Sequence, residues 1–441
     1  MTRTVAPTSK HIRAARSSLL WLALLLAVAS NACSADPSPV DASGPQDGAP
    51  PPDARADITP PRAYNGPLFL RRAEAGELSA FERDELVVAS SGELELRPGG
   101  GHAGKDPYAA GTYHGGNFYN AGSYRYGVAR STLWVSARPF DSVVPSFEAL
   151  TPPGTWIAVS LSVRVDGVWS KEYAIVVWAS SKETVARHIV DGQDDATATV
   201  QDDTLVLTKK ADALRFVVQL FSQDAATPRV RAVAAVVHDS QSSPPTDTPT
   251  PAARGKVLDV PKRSQMKWAG NGWCSPTSTS MILAYWAARR GKPELDETVP
   301  AAADGIYDFV YDGTGIWPFN MAHAASLGGG ALHAVVTRLH SLHQAERLLA
   351  AGIPLAISIS FGAGELAGAP VAATDGHLIV VRGFTAAGDV VCNDPAFATD
   401  AEVQVTYKRT ELEQAWSHSR GTTYLIWPAG TTLPADPLGA Y

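Results

Sequence analysis

The amino-acid sequence predicts two folded domains, an all-β sandwich of jelly-roll type followed by an α+β domain. Three observations carry this. Apolar residues alternate at period two in repeated short runs between residues 63 and 238, a Pro/Thr-rich stretch at 239–255 interrupts them, and helical and strand patterns mix between 256 and 430. At about 150 residues per domain, a chain of 441 residues has room for two or three such units. Hydrophobic residues at 45% and charged residues at 18% exclude collagen-like, coiled-coil and wholly disordered chains. The formal net charge of -7 argues against a polyphosphate-binding surface, so no nucleic-acid partner is expected.

Arg3, Lys10, Arg13 and Arg16 precede the apolar run from Leu19 to Ala29, which is too short to span a bilayer comfortably. Residues 1–32 therefore read as an export signal. Its end has two readings: cleavage after Ala29 or Ala32, or a lipid on Cys33, which is the one membrane contact expected. Residues 33–62 hold Pro, Asp, Ala, Ser and Gly with almost no aliphatic content, too little apolar surface to offset the entropy of ordering. They form a tether. The expected location is outside the cytoplasm, secreted or lipid-anchored at a bacterial cell envelope.

Between residues 63 and 238, strands are expected at Leu68–Leu70, Leu94–Leu96, Thr155–Val165, Glu172–Trp178, Thr204–Leu207, Arg215–Phe221 and Val230–Val237. Turn residues separate them, and no helical period competes, which is the pattern of an antiparallel sandwich. Trp134, Trp156, Trp169 and Trp178 read as core filling, because aromatic residues at strand spacing ordinarily pack between sheets. The Gly- and Tyr-rich stretch 99–126 is the better candidate for a ligand loop, with a glycan or cell-wall contact as the partner class.

In the second domain, helices are expected at Pro276–Arg290 and Ser341–Ala351, the latter stopped by Gly352. Strands are expected at Pro354–Ser360, His377–Gly383 and Asp389–Asn393, and Trp317-Pro-Phe-Asn reads as the opening of another helix. Pro276 and the Ser/Thr residues around it mark a helix start, which puts Cys274 at the mouth of that helix. There the unpaired N–H groups and the positive end of the dipole favour thiolate over thiol.

A cysteine nucleophile needs a base, an orienting partner for that base, and donors for the oxyanion. His377 begins one strand and Asp394 follows the next, so two adjacent strands joined by a short turn place them together. Gln265, nine positions before Cys274, supplies an amide N–H beside the Cys274 backbone N–H. Taken singly, each residue has a bland reading: a buried or disulfide-bonded cysteine, a core histidine, a turn-forming aspartate. Their agreement on one site favours chemistry. No cofactor is expected and no metal, because His323, His333, His340 and His343 lack the cysteine or paired carboxylate that would complete a ligand set.

Residues 256–428 resemble the papain-like cysteine peptidases of the bacteriocin-leader-processing type, specifically secreted, stand-alone relatives of peptidase family thirty-nine. The resemblance rests on Val-Pro-x-x-Ser-Gln (260–265), Trp-Cys-Ser-Pro-Thr-Ser (273–278), Gly-Ile-Trp-Pro-Phe-Asn-Met-Ala (315–322), Ala-Glu-Arg-Leu-Leu-Ala-Ala-Gly-Ile-Pro (345–354), Asp-Gly-His-Leu-Ile-Val-Val-Arg-Gly-Phe (375–384) and Asn-Asp-Pro-Ala (393–396). It implies a papain-like fold, with Cys274 as nucleophile, His377 as general base and acid, Asp394 as its orienter and Gln265 in the oxyanion hole. Residues 130–237 resemble modules that precede this domain in exported bacterial proteins.

No long apolar spans or Gly-x-x-x-x-Gly-Lys loop accompany the domain, so leader removal coupled to transport is not expected. The expected activity is hydrolysis of extracellular peptide or protein through an acyl-enzyme. Two rivals stand beside it: an idle domain in a glycan-binding surface protein, and acyl transfer to an amine by the same nucleophile. Cys392 shares strand parity with Asp394 and offers Cys274 a disulfide partner; a free, alkylatable Cys274 is the expectation. Residues 431–441 read as a tail.

Overall fold

Alternation of apolar residues builds the first half into antiparallel strands whose inward faces share one core. The principal ones are β1 (Leu68–Glu74), β2 (Trp134–Leu150), β3 (Thr155–Val165), β4 (Tyr173–Trp178), β5 (His188–Ile189), β6 (Ala198–Gln201), β7 (Thr204–Ser222) and β8 (Arg229–His238). They hydrogen-bond in the order β5-β4-β3-β7-β2-β8, with β1 also on β8 and β6 on β7. Phe140, Phe147, Tyr173, Trp178 and Phe216 are buried between them. Trp134 and Trp156 are buried too, whereas Trp169 is half-buried beneath the Arg215 guanidinium, 4.1 Å from its ring. This computed structural model describes residues 68–105, 122–241, 246–268 and 272–441; the export signal, Cys33, the tether and the Tyr-rich motif at 111–119 lie outside the described residues.

Two strands differ from expectation. The runs at 204–207 and 215–221 are one strand, β7, which pairs with β2 through Leu214 and with β3 from Ala213 onward. Strand β2 gives no simple alternation because it contains Pro139 and Pro145, which lack the N–H a ladder needs. Both are accommodated locally. Pro139 falls where the β2–β7 register shifts, and Pro145 lies beyond the last β7 pairing, where β2 is hydrogen-bonded along its β8 edge.

The second half mixes helices α1 (Cys274–Arg290), α2 (Val299–Ile306), α3 (Trp317–Ser326), α4 (Leu342–Ala350) and α5 (Arg409–His418) with six strands. These are β9 (Leu332–Arg338), β10 (Leu355–Phe361), β11 (Thr374–Phe384), β12 (Val390–Asn393), β13 (Gln404–Tyr407) and β14 (Thr422–Pro428). All pair antiparallel, in the order β9-β14-β10-β11-β12-β13. Met281, Ile282, Leu283, Tyr285 and Trp286 of α1 pack into the sheet's apolar face. Two polar ties fix the helix in place: Ser278 Oγ donates to the Leu378 carbonyl at 3.0 Å and Trp286 Nε1 to that of Ile426 at 2.9 Å. Gly291, in the left-handed region at φ 61°, ends it. Among the described residues no helix is long and apolar enough to cross a membrane.

The β region and the mixed region share packing. Val144, Ala234 and Val236 join the core around α1, while Phe319 and Ala322 of α3 join that of the β strands. At their junction Glu148, 2% exposed, accepts from Arg231 Nε at 2.8 Å, Arg72 Nη2 at 3.1 Å, His333 Nδ1 at 3.1 Å and the Ala334 N–H at 3.2 Å. Burial pushes its carboxyl up, but the His333 hydrogen bond and the two guanidinium charges outweigh that and bring it down to about 2. Glu148→Ala leaves those cations without their buried counter-ion and is expected to cost about 3–5 kcal/mol in urea unfolding of the full chain. Because the folded-state value is depressed, this contribution is present above the ordinary carboxyl range and fades as pH falls toward 2. Residues 246–255 run along α4, where Asp247 pairs with Arg347 at 2.9 Å and Ala253 is buried. At the chain's other end, the Leu70 N–H donates to Gly439.

Candidate active site

Cys274 is the first residue of α1, and Trp273 before it provides no side-chain cap. Pro276 has no N–H and that of Thr277 bonds the Trp273 carbonyl at 3.1 Å, so from this helix end it is the Ser275 N–H that acts on the sulfur. His377 lies in β11, beside Ile359 of β10. The antiparallel β11–β12 ladder, with Val380 opposite Asn393, delivers Asp394 to the same end of the sheet. His377 Nε2 and Asp394 Oδ1 are 2.7 Å apart, and His377 is close enough to Cys274 for each to act on the other's ionisation. Residues 274, 377 and 394 thus form a chain in which His377 and Asp394 share a hydrogen bond and Cys274 and His377 act on each other by charge.

Their electrostatics follow from that chain. Burial raises the Cys274 thiol, yet the hydrogen bond and charge of His377, with the backbone N–H groups of Leu378 and Ser275, bring it below the ordinary thiol range. His377 moves the opposite way: burial disfavours its cation, but the Asp394 carboxylate and the Cys274 sulfur push it up to about 10. Burial likewise raises Asp394, and the His377 cation and hydrogen bond more than reverse this. The two shifts run in opposite directions, and each favours the charged form of its group.

Gln265 opens a short 3-10 turn and is 3% exposed. Its backbone N–H donates to Pro395 at 2.9 Å, which ties it to the Asp394 loop, and its side-chain Oε1 is buried with no partner. Ser264 holds the same turn by receiving the Met266 N–H on its hydroxyl. Cys392 is a free thiol, as is Cys274; it packs in the apolar core, where burial raises it well above the ordinary range. His333, His323 and His343 each engage a carboxylate, those of Glu148, Glu297 and Glu346.

Sequence reasoning missed Tyr407. Its hydroxyl donates to Asp394 Oδ2 at 2.7 Å while the Ala396 N–H donates to Oδ1 at 3.0 Å, so the carboxylate is held from both oxygens. A buried tyrosine in a strand ordinarily reads as core, and nothing in its spacing distinguishes it.

The mixed helix–sheet region thus gathers a thiol, an imidazole and a carboxylate at one end of its sheet. Residues 257–424 match the family model described as Peptidase_C39 like family, and residues 69–238 match the one described as Peptidase C39 N-terminal domain. The chain carries a C39-like peptidase domain preceded by the N-terminal module of that kind. No curated protein matches it. Among solved structures it is similar to a family two carbohydrate esterase from Cellvibrio japonicus at 9% identity and a TM-score of 0.18. That match covers 49% of this chain and 50% of that one, and it carries no argument about fold or reaction.

Proposed function

We propose that the chain is an exported cysteine peptidase or amidohydrolase, acting on peptide or protein outside the cell. In this reading residues 1–32 are the export signal, 63–238 a β-sandwich and 256–430 a papain-like domain. The observation that carries it is the Cys274–His377–Asp394 chain, with 2.7 Å between His377 and Asp394. The Cys274 thiolate attacks the carbonyl carbon, and the oxyanion takes hydrogen bonds from the Cys274 backbone N–H and the Gln265 amide. The His377 imidazolium then gives its proton to the leaving amine as the C–N bond breaks, leaving a thioester. Neutral His377 next takes a proton from water, the hydroxide adds to the thioester carbonyl, and cleavage of the C–S bond restores thiolate and imidazolium. Asp394, braced by Tyr407, keeps the ring oriented through both steps.

Digestion of a peptide library by the wild-type protein, followed by mass spectrometry with and without an added primary amine, tests this. Hydrolysis produces new free carboxyl ends in both mixtures; amide products confined to the amine-containing mixture mark acyl transfer instead. A library left intact in both contradicts the proposal.

A further inference from the structure

The turn at residues 307–316, between α2 and α3, runs beside the nucleophile. Thr314 Oγ1 donates to the carbonyl of Gly272, two residues before Cys274, at 2.9 Å, and the Tyr311 phenol lies within electrostatic reach of the Cys274 sulfur. Its conformation is not set by the C39-like domain alone. Asp308 is fully buried and works as a joint: Oδ1 accepts the turn's own Val310 and Tyr311 N–H groups at 2.7 and 2.9 Å, while Oδ2 accepts the Ile189 N–H of β5 at 2.8 Å. The Phe309 N–H donates to the Arg187 carbonyl at 3.1 Å. Arg187 Nη1 donates to the Asp304 carbonyl in α2 at 2.8 Å. On the far side of the turn, Asp203, between β6 and β7, accepts the N–H of Trp317, the first residue of α3, at 2.7 Å. Both ends of the turn and its joint are thus held by the β module.

Large apolar side chains are seldom left open to water in a group, yet this turn presents Phe309 at 38% and Tyr311 at 45% exposure. The Tyr311 ring covers Gly313 and Gly315, where a Cβ would come within 3.0 and 3.1 Å of it, so the two glycines form a floor that lets the ring lie flat. The exposed Asp202 acts on the Tyr311 hydroxyl by its charge, and the exposed Asp312, next in the chain, accepts the Tyr307 hydroxyl. An exposed phenol with a carboxylate near its hydroxyl suits a neutral or cationic side chain and disfavours an acidic one.

We propose that the N-terminal β module is part of the substrate-binding cleft: by fixing the 307–316 turn it sets one wall beside Cys274, and Tyr311 on that wall selects a neutral or basic peptide side chain next to the scissile bond. This rests on the peptidase reading above. The module is then required for specificity and is not merely a cell-surface attachment.

The test uses the full chain, its Tyr311→Ala variant, which changes an exposed ring, and Asp203→Ala, which removes the module's hold on α3. Each is assayed for kcat and KM on the best-cleaved library peptide, for residue preference across the library, and for the rate of Cys274 alkylation by iodoacetamide. Both variants should raise KM at least about tenfold, the range a lost pocket contact gives, and alter the residue preference across the library. Alkylation should stay at the wild-type rate. Unchanged KM and unchanged preference in both variants, with normal alkylation, overturns the inference while leaving the peptidase reading intact. Slowed alkylation of Tyr311→Ala also overturns it, because the ring would then act on the nucleophile. A wild-type protein that neither cleaves peptides nor alkylates at Cys274 overturns the peptidase reading and this inference together.

Discussion

Replacing Cys274 with Ala is expected to abolish peptide hydrolysis while the protein stays folded. The loss arises because every covalent step passes through one sulfur, and a methyl group can neither attack a carbonyl nor carry an acyl group. Removal of one member of a nucleophile–base unit typically costs on the order of 10⁶ in kcat. Stability should change by less than about 1 kcal/mol, since the substitution deletes a single half-buried atom at the end of a helix whose anchors, Ser278 and Trp286, remain. Progress curves on the best library peptide and urea unfolding of the same preparation separate the two effects.

The second large effect is expected at His377→Ala. The ring serves twice: its charge and hydrogen bond hold Cys274 as thiolate, and its proton leaves with the amine. Losing both should lower kcat by a factor close to that of Cys274→Ala, and the double variant should be no worse than either single one, because the two act as a unit. Asp394 would keep the Tyr407 hydroxyl and the Ala396 N–H but lose its cationic partner. A stability loss of about 1.5–3 kcal/mol is therefore expected alongside, the usual size for a hydrogen bond to a charged group. Kinetics of the single and double variants, measured side by side, check the non-additivity.

The placement of residues at the helix mouth was legible because local signals coincided. A cysteine directly before Ser-Pro-Thr-Ser announces a helix N-terminus, a histidine opens one apolar strand, and Asn-Asp-Pro closes the next. These are short-range patterns, and the β11–β12 pairing converts them into proximity. The helix expected from Pro276 to Arg290 runs from Cys274 to Arg290, and the three expected strands of the second domain shift by only a few residues. Strand β2 was not legible because prolines at 139 and 145 mimic turn signals, and only the register shift and the change of partner make them tolerable. Tyr407 and the hold of the β module on residues 307–316 were not legible for a different reason. Asp203 meets Trp317, and Ile189 meets Asp308, through backbone N–H groups, which leave no periodicity and no residue-type signature.

In the proposed mechanism Cys274 rests as a thiolate paired with a protonated His377. That pairing is tested most directly by the pH dependence of iodoacetamide alkylation, with peptide mapping to separate Cys274 from the buried Cys392. Cys274 in the wild-type protein should react at its full rate at neutral pH, with the fall lying well to the acid side of the ordinary thiol value of about 8.5. His377→Ala should move this fall back toward that value. A rate that climbs only near 8.5, identically in both proteins, would contradict the ion pair and the mechanism built on it.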